Sequence, residues 1–154
     1  MNRFKLYTDG SHFKSSSING RLGIGGVLIN ESGEIVDYLS KEVDRYEINE
    51  IYNTSDVSNP TMEMYAVLLS LRKFSKRFQF NDYIEIFADY LGVISWMNNE
   101  WRINKPYIRM IKSDIELEIK NQKLEVKFIK VKGHSNEYFN DLADKLAKGE
   151  LKRI

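Results

Sequence analysis

Three acidic residues of this chain stand at positions where a charged side chain is costly. Asp9 and Asp89 each follow a short apolar segment predicted to be a strand, and Glu63 shares a helix face with Ala66 and Val67. A carboxylate in apolar surroundings is unfavourable unless it is paired or binds a metal ion. Converging carboxylates repel one another, and a divalent cation removes that repulsion. Because hard cations prefer oxygen ligands, the pattern favours a Mg²⁺ or Mn²⁺ site.

Each of these acidic residues also has an ordinary structural explanation. Glu63 lies near the positive N-terminus of its predicted helix, and Asp9 precedes Gly10 in what could be a turn. Asp89 could cap the helix that follows it. Taken singly, each explanation is at least as good as a metal site. The three residues together favour the metal site, because alternating strands and helices can bring them close.

The elements that must position these residues follow from hydrophobic periodicity and from turn residues. The predicted strands are 3–8, 21–30, 34–43, 83–88 and 124–131, and the predicted helices are 61–78, 91–101, 106–120 and 138–149. Residues 44–60 are polar and acidic and are predicted to form a long connection. The order predicts an α/β fold, in which an antiparallel meander of three strands joins a mixed sheet with helices packed on it.

The second predicted strand is rich in glycine. Gly23, Gly25 and Gly26 weaken it and indicate that another part of the backbone approaches closely there. The spacing does not match a phosphate-binding G-x-G-x-x-G loop, and no predicted helix follows.

The bulk composition is that of an ordinary globular protein. The chain has 154 residues, of which 42% are hydrophobic and 29% charged, so we expect one domain spanning 1–154. It has no cysteine, which excludes disulfides and thiolate metal sites. No segment approaches the roughly 20 apolar residues that cross a bilayer, and the first residues do not resemble a signal peptide. We therefore expect a protein with no membrane partner that acts in the cytoplasm, or in a host cytoplasm if it is viral. We also expect a monomer.

The charge distribution is weakly informative. The formal net charge is +1, but residues 105–154 carry 12 Lys or Arg against 8 Asp or Glu. A basic bias of this size fits a nucleic-acid contact surface and fits an ordinary solvated surface equally well.

Four motifs, in order, resemble those of the type 1 ribonuclease H family over nearly the whole chain. They are Tyr7-Thr8-Asp9-Gly10-Ser11; Asn59-Pro60-Thr61-Met62-Glu63 with Ala66 and Leu69; the apolar strand ending at Asp89; and Val131-Lys132-Gly133-His134-Ser135 with Asn140-Asp141-Leu142-Ala143-Asp144-Lys145-Leu146-Ala147. Each motif alone is weak, but four in the right order are specific.

The resemblance implies a fold and an activity. The fold is a five-stranded mixed sheet of order 3-2-1-4-5, and the activity is endonucleolytic hydrolysis of the RNA strand of an RNA–DNA hybrid, leaving 5′-phosphate and 3′-hydroxyl ends. The family pattern implies that two Mg²⁺ ions, with Mn²⁺ as a possible substitute, are held by Asp9, Glu63, Asp89 and Asp144. It also implies that His134 assists proton transfer or product release, a task suited to an imidazole. Asp144 enters only through this resemblance.

The resemblance also implies how the hybrid is recognised. RNA differs from DNA by its 2′-hydroxyl groups, and the matching positions for contacting them are Gly10, Ser11 and the Asn59 side chain. Two motif positions depart from the family pattern, because Pro60 replaces an Asn and Tyr90 follows Asp89 in place of a small polar residue. The connection 44–58 is also longer than usual and acidic, so it could repel phosphate or cover the site.

Three other functions remain open. The chain could be a non-catalytic or weakly active domain that binds hybrids or other nucleic acids. It could be a relative of DNA transposases or junction nucleases, although 154 residues leave no evident room for their additional domains. It could also be a structural protein whose acidic residues all lie on the surface.

Overall fold

The computed structural model describes residues 1–13, 21–132, 137–151 and 153–154. Within these residues, five strands form one mixed sheet in the order β3-β2-β1-β4-β5. The strands are β1 (Arg3–Phe13), β2 (Arg21–Ile29), β3 (Ile35–Glu42), β4 (Tyr83–Ala88) and β5 (Glu125–Lys130). The helices are α1 (Arg45–Tyr52), α2 (Asn59–Lys73), α3 (Leu91–Met97), α4 (Pro106–Asn121) and α5 (Tyr138–Lys148), with a 3₁₀ turn at Ser75–Arg77. Strands β1 to β3 pair antiparallel, and β4 pairs parallel with β1 and β5, which confirms the predicted α/β fold and strand order.

Helices cover both faces of the sheet, and the glycines of β2 show which helix lies on which face. Neighbouring residues of a strand point to opposite faces. A Cβ atom at Gly25 would lie 2.2 Å from the carbonyl oxygen of Ala143 in α5, and one at Gly26 would lie 2.4 Å from Ser70 Oγ in α2. Helices α5 and α2 therefore pack on opposite faces of β2. The close backbone approach predicted from these glycines is confirmed at Gly25.

The two faces bury two separate hydrophobic cores. The larger core lies between the sheet and α2, takes in apolar residues of α1, α3 and α4, and includes Leu6, Ile24, Ile86, Met64 and Leu68. The smaller core lies under α5 and includes Tyr7, Val27, Ile29, Leu142 and Leu146. Residues 61–68 of α2 are all buried, so this helix is the central element of the larger layer.

The predicted connection at 44–60 contains a helix that the sequence interpretation missed. Helix α1 begins after Asp44, whose carboxylate accepts a hydrogen bond from the Tyr46 N–H, and ends at Asn53 in the left-handed region. Only Ile48 and Tyr52, four residues apart, are buried. Two apolar residues in an acidic segment give a weak periodic signal, so the helix is stabilised mainly by its packing on the rest of the protein.

Three element ends also differ from the prediction by four or five residues. Helix α2 ends at Lys73 rather than at residue 78, and the 3₁₀ turn follows it. Strand β1 continues through Asp9 to Phe13, because β2 pairs with it over this whole length. Helix α3 ends at Met97 rather than at residue 101, since Asn99 adopts a φ of 60° and the Ser95 carbonyl accepts hydrogen bonds from the N–H groups of Glu100 and Trp101. In the part of the chain that the structure describes, no helix combines the length and apolarity needed to cross a membrane.

Candidate active site

The register of the two central parallel strands brings Asp9 and Asp89 to the same edge of the sheet. The ladder between β1 and β4 ends at the pair Tyr7 and Phe87, whose rings stack with centroids 4.6 Å apart. Asp9 and Asp89 each lie two residues beyond this pair. Because parallel strands run in the same direction, both carboxylates extend beyond the last paired residues of the same ladder. β1 remains a strand here only through its pairing with β2.

Glu63 reaches this edge because α2 begins directly against β1. A Cβ atom at Gly10 would lie 2.2 Å from the carbonyl carbon of Met62 and 2.4 Å from the backbone nitrogen of Glu63. Only glycine permits this approach. The Gly10 N–H donates to the Glu63 carboxylate, and Glu63 is only 6% exposed.

Asp144 is brought to Asp9 through the glycine of the neighbouring strand. Gly25 is the cross-strand partner of Asp9, and the backbone of α5 lies on it at Ala143. Asp144 also forms an ion pair with Lys148, at an Nζ to Oδ2 distance of 3.1 Å. The sequence interpretation missed Lys148, although its spacing of four residues from Asp144 on one helix is a recognisable signal.

Asp9 and Glu63 have raised pKa values in this cluster. Burial, followed by the neighbouring Asp144 and Asp89 carboxylates, raises the pKa of Asp9 to about 7. Burial and the Asp9 carboxylate raise the pKa of Glu63 well above its usual range. The Asp9 carboxyl lies within hydrogen-bonding reach of those of Glu63 and Asp144. Like charges this close must be neutralised by a shared proton or by a cation.

The chemistry of these residues fits a divalent cation. All the candidate ligands are carboxylate oxygens, which suit Mg²⁺ and Mn²⁺. The Oε2 atom of Glu63 is buried, and no donor group among the described residues reaches it. Among those residues, no three acidic or histidine side chains already stand spaced around one ion. Cation binding at this cluster would therefore require the Asp9 carboxyl to reorient relative to those of Glu63 and Asp144.

The residues predicted to contact substrate lie beside the carboxylates. The Asn59 Oδ1 atom accepts a hydrogen bond of 2.7 Å from the backbone N–H of His12, which ties the beginning of α2 to the end of β1. Gly10 and Ser11 are buried at this junction, and Asn59 is exposed. Their role in substrate binding stays a prediction. His134 lies outside the described residues, so its predicted role also stays a prediction.

The two motif positions that depart from the family pattern line the same pocket. Pro60 and Tyr90 border a cavity of about 190 Å³ together with Trp96, Ile103 and Lys105. The rings of Tyr90 and Trp96 meet edge to face at 5.8 Å. The substitutions thus replace polar groups by an apolar surface at one place, next to Asp89 and the beginning of α2.

Known proteins with similar sequences are ribonucleases H. The protein of Acetivibrio thermocellus is 29% identical over 163 residues, an alignment that covers 99% of this chain and 97% of the relative. The protein of Caldanaerobacter subterraneus is 27% identical, in an alignment that covers 97% of this chain and 91% of the relative.

Solved structures show the same fold. RNase H1 of the archaeon Halobacterium salinarum superposes with a TM-score of 0.73 at 22% identity, covering 97% of this chain and 98% of that one. LC11-RNase H1, solved in complex with an RNA/DNA hybrid, superposes with a TM-score of 0.73 at 15% identity. The superposition covers 96% of this chain and 98% of that one. The sequence itself matches the RNase H family over residues 1–152. The strand order, the sequence relatives and the span of that match agree, and the chain belongs to the RNase H family.

Proposed function

We propose that this protein is an endoribonuclease that hydrolyses the RNA strand of RNA–DNA hybrids. The observation that carries the proposal is the acidic cluster around Asp9, in which burial and then the Asp144 and Asp89 carboxylates raise the pKa of Asp9 to about 7. A structural role explains neither this repulsion nor the buried Glu63 oxygen that lacks a donor. Perturbed carboxyl groups that cluster at the end of a sheet are typical of catalytic sites.

Asp9, Glu63, Asp89 and Asp144 would hold two Mg²⁺ ions, for which Mn²⁺ could substitute. Two divalent cations bound there would supply Lewis-acid activation of the attacking water and charge stabilisation of the leaving 3′ oxygen, so that the products would carry 5′-phosphate and 3′-hydroxyl ends. The protein contributes the placement of the ligands. The Gly10 N–H orients the Glu63 carboxylate, and Lys148 balances part of the charge on Asp144. His134 is proposed to assist proton transfer or product release.

The proposed substrate contacts lie at the junction of β1 and α2. Gly10, Ser11 and Asn59 would contact 2′-hydroxyl groups in the minor groove of the hybrid, which distinguish its RNA strand from DNA. Two findings support this assignment. The hydrogen bond from His12 to Asn59 brings the three residues together, and LC11-RNase H1, which has the same fold, binds an RNA/DNA hybrid.

Substituting Asp9→Asn tests the proposed function. The wild-type protein should cleave the labelled RNA strand of a hybrid in a Mg²⁺-dependent reaction, and should leave double-stranded DNA and double-stranded RNA intact. Asp9→Asn should lower the rate by about a thousandfold, since a metal ion contributes several kcal/mol to transition-state stabilisation. Asp141→Asn removes an exposed carboxylate from α5 and should cleave like the wild type.

The same assay separates the alternatives. A wild-type protein that binds the hybrid but cleaves nothing with either Mg²⁺ or Mn²⁺ would be a non-catalytic binding domain. Cleavage of double-stranded DNA would place the protein with the DNA nucleases that share this fold. Equal cleavage by wild type and Asp9→Asn would contradict the assignment of the carboxylates.

A further inference from the structure

Asp56 connects the beginnings of two helices through a single carboxylate. Its Oδ1 atom accepts a hydrogen bond of 2.9 Å from the backbone N–H of Ser58, the residue that precedes α2. Its Oδ2 atom accepts one of 3.0 Å from Lys105 Nζ and one from the Tyr107 hydroxyl. Partial burial raises the pKa of Asp56, but the hydrogen bonds from Ser58 and Lys105 lower it by more. The pKa of Asp56 therefore lies below its usual range.

The partners of Asp56 place this link at the beginnings of α2 and α4, near the proposed metal ligand Glu63. Lys105 precedes α4 and Tyr107 lies in its first turn, while Ser58 precedes the helix that carries Glu63. The opposite ends of the same two helices are joined by a separate ion pair, in which Arg72 Nε lies 3.0 Å from Glu118 Oε1. Helices α2 and α4 are therefore tied at both ends, and only one of the two ties is near the carboxylates.

The contact between α2 and β1 allows no closer approach of the two elements at the near end. The missing Cβ of Gly10 already allows α2 to approach as closely as the backbone permits, with Met62 and Glu63 against it. Asn59 is fixed to the backbone of His12 by its 2.7 Å hydrogen bond. Any shift of the beginning of α2 would therefore change the position of Glu63 relative to Asp9.

We infer that Asp56 is a positioning residue for Glu63, which it holds in place by fastening the beginning of α2 to α4 through Lys105 and Tyr107. The inference rests on the proposed function, because it concerns the same carboxylates. It assigns a role to the connection 53–58, which contributes none of the four proposed ligands. Asp56 acts on metal binding through Glu63 and not by contact with the metal or the substrate.

The test compares the two links between α2 and α4. The near tie is the one through Asp56, and the far tie is the ion pair of Arg72 with Glu118. Asp56→Ala removes the near tie, Asp56→Asn keeps only one neutral acceptor oxygen in place of two charged ones, and Glu118→Gln weakens the far tie. For each variant we would measure the Mg²⁺-induced rise in melting temperature, the Mg²⁺ concentration for half-maximal cleavage, and kcat and KM for the hybrid. The first measurement reports metal binding without cleavage.

We expect Asp56→Ala to raise the half-saturating Mg²⁺ concentration about tenfold, as is usual when support for a metal ligand is lost. It should also lower kcat while KM for the hybrid stays within about twofold, because no substrate contact is removed. Asp56→Asn, which keeps one of the two acceptor oxygens, should have a Mg²⁺ dependence between those of Asp56→Ala and the wild type. Glu118→Gln should lower the melting temperature and leave the Mg²⁺ dependence unchanged.

The inference is overturned if Asp56→Ala keeps the wild-type Mg²⁺ dependence, or if Glu118→Gln shifts that dependence equally. If Asp56→Ala does not fold, Asp56→Asn and Tyr107→Phe decide the matter, and an unchanged Mg²⁺ dependence in both overturns it. Failure of the proposed function looks different. The wild type itself would then show neither Mg²⁺-dependent melting nor hybrid cleavage, and both proposals would fall.

Discussion

At the scale of single residues, the character of the site depends on how deeply Asp9 and Glu63 are placed among other carboxylates. Asp9, Glu63 and Asp89 were recognisable in the sequence because strand ends and an apolar helix face are costly positions for a charge. Lys148 is a further participant, and it contributes through its ion pair with Asp144. Together these residues form an acidic cluster. The number of protons and cations that the cluster binds must depend on pH.

The pKa of Asp9 predicts that the metal-free protein loses stability as pH rises. The value is about 7 in the folded protein and 3.8 for an unperturbed carboxyl, so between these values the folded state binds more protons than the unfolded state. The contribution of Asp9 to the free energy of unfolding therefore falls from about pH 4 to about pH 7 and is constant above that. Glu63, whose pKa is also raised, acts in the same direction.

Urea unfolding in the presence of EDTA, from about pH 4.5 to about pH 8, measures this effect. Asp9→Asn removes the titrating group and should flatten the decline, with Asp141→Asn as the control for loss of an exposed carboxylate. A decline of the same size in Asp9→Asn and wild type would show that Asp9 is not the group responsible.

At the scale of elements, the site depends on how closely helices pack on β1 and β2. Helix α2 is placed by Gly10 and α5 by Gly25, each of which admits backbone atoms where a side chain would otherwise stand. Acidic residues on two helices thereby meet one on a strand. The sequence indicated that the glycines of β2 admit a close neighbour, but it did not indicate which helix this would be.

Gly25→Ala should damage both stability and catalysis. The added Cβ would lie 2.2 Å from the Ala143 carbonyl oxygen and 2.7 Å from the Ala147 nitrogen, so α5 must move away and carry Asp144 with it. We expect a loss of about 2 kcal/mol in the free energy of unfolding, as for other overpacked sites, together with a fall in kcat.

Gly33→Ala is the matched control for this substitution. Nothing lies within 4 Å of its Cβ position, but its φ of 81° is unfavourable for alanine. It should cost about 1 kcal/mol and leave kcat unchanged. Equal effects of the two substitutions on kcat would argue against placement of Asp144 by Gly25.

Helix α1 should contribute to stability without contributing to catalysis. Ile48 is fully buried, whereas Ile51, three residues later, is 48% exposed. We expect Ile48→Ala to lower the free energy of unfolding by about 3 kcal/mol and Ile51→Ala by less than about 0.5 kcal/mol. Denaturant unfolding measures both. At temperatures where each variant is folded, kcat should match the wild type, and a selective loss of kcat in Ile48→Ala would instead implicate α1 in the site.

At the scale of the whole molecule, a net charge of +1 gives little long-range attraction for a polyanion. We therefore expect binding of a hybrid to depend on local cations, such as Arg102 and Lys105 beside Tyr90 and Lys148 beside Asp144. That the protein is a cytoplasmic monomer of one domain remains a prediction.

The KM for the hybrid should rise with salt, but less steeply than for strongly basic nucleic-acid-binding proteins. For about three phosphate contacts, an increase from about 50 to about 200 mM salt should weaken binding roughly fortyfold. Melting temperatures measured in the same buffers control for changes in protein stability. A KM that does not vary with salt would exclude phosphate contacts as a main source of affinity.

The sequence by itself determined the fold class, the strand order through its family resemblance, and three acidic residues in unfavourable positions. These follow from local periodicity and from the cost of an unpaired carboxylate. Only the tertiary structure decided that Asp9 stays within a strand paired to Gly25, that α5 delivers Asp144 and Lys148, and that residues 45–52 form a helix. It also supplied the contacts from which the role of Asp56 is inferred, since its partners Lys105 and Tyr107 lie about fifty residues away in sequence. The physical reason is that these features arise from contacts between distant segments, whereas sequence patterns report mainly on neighbours within one element.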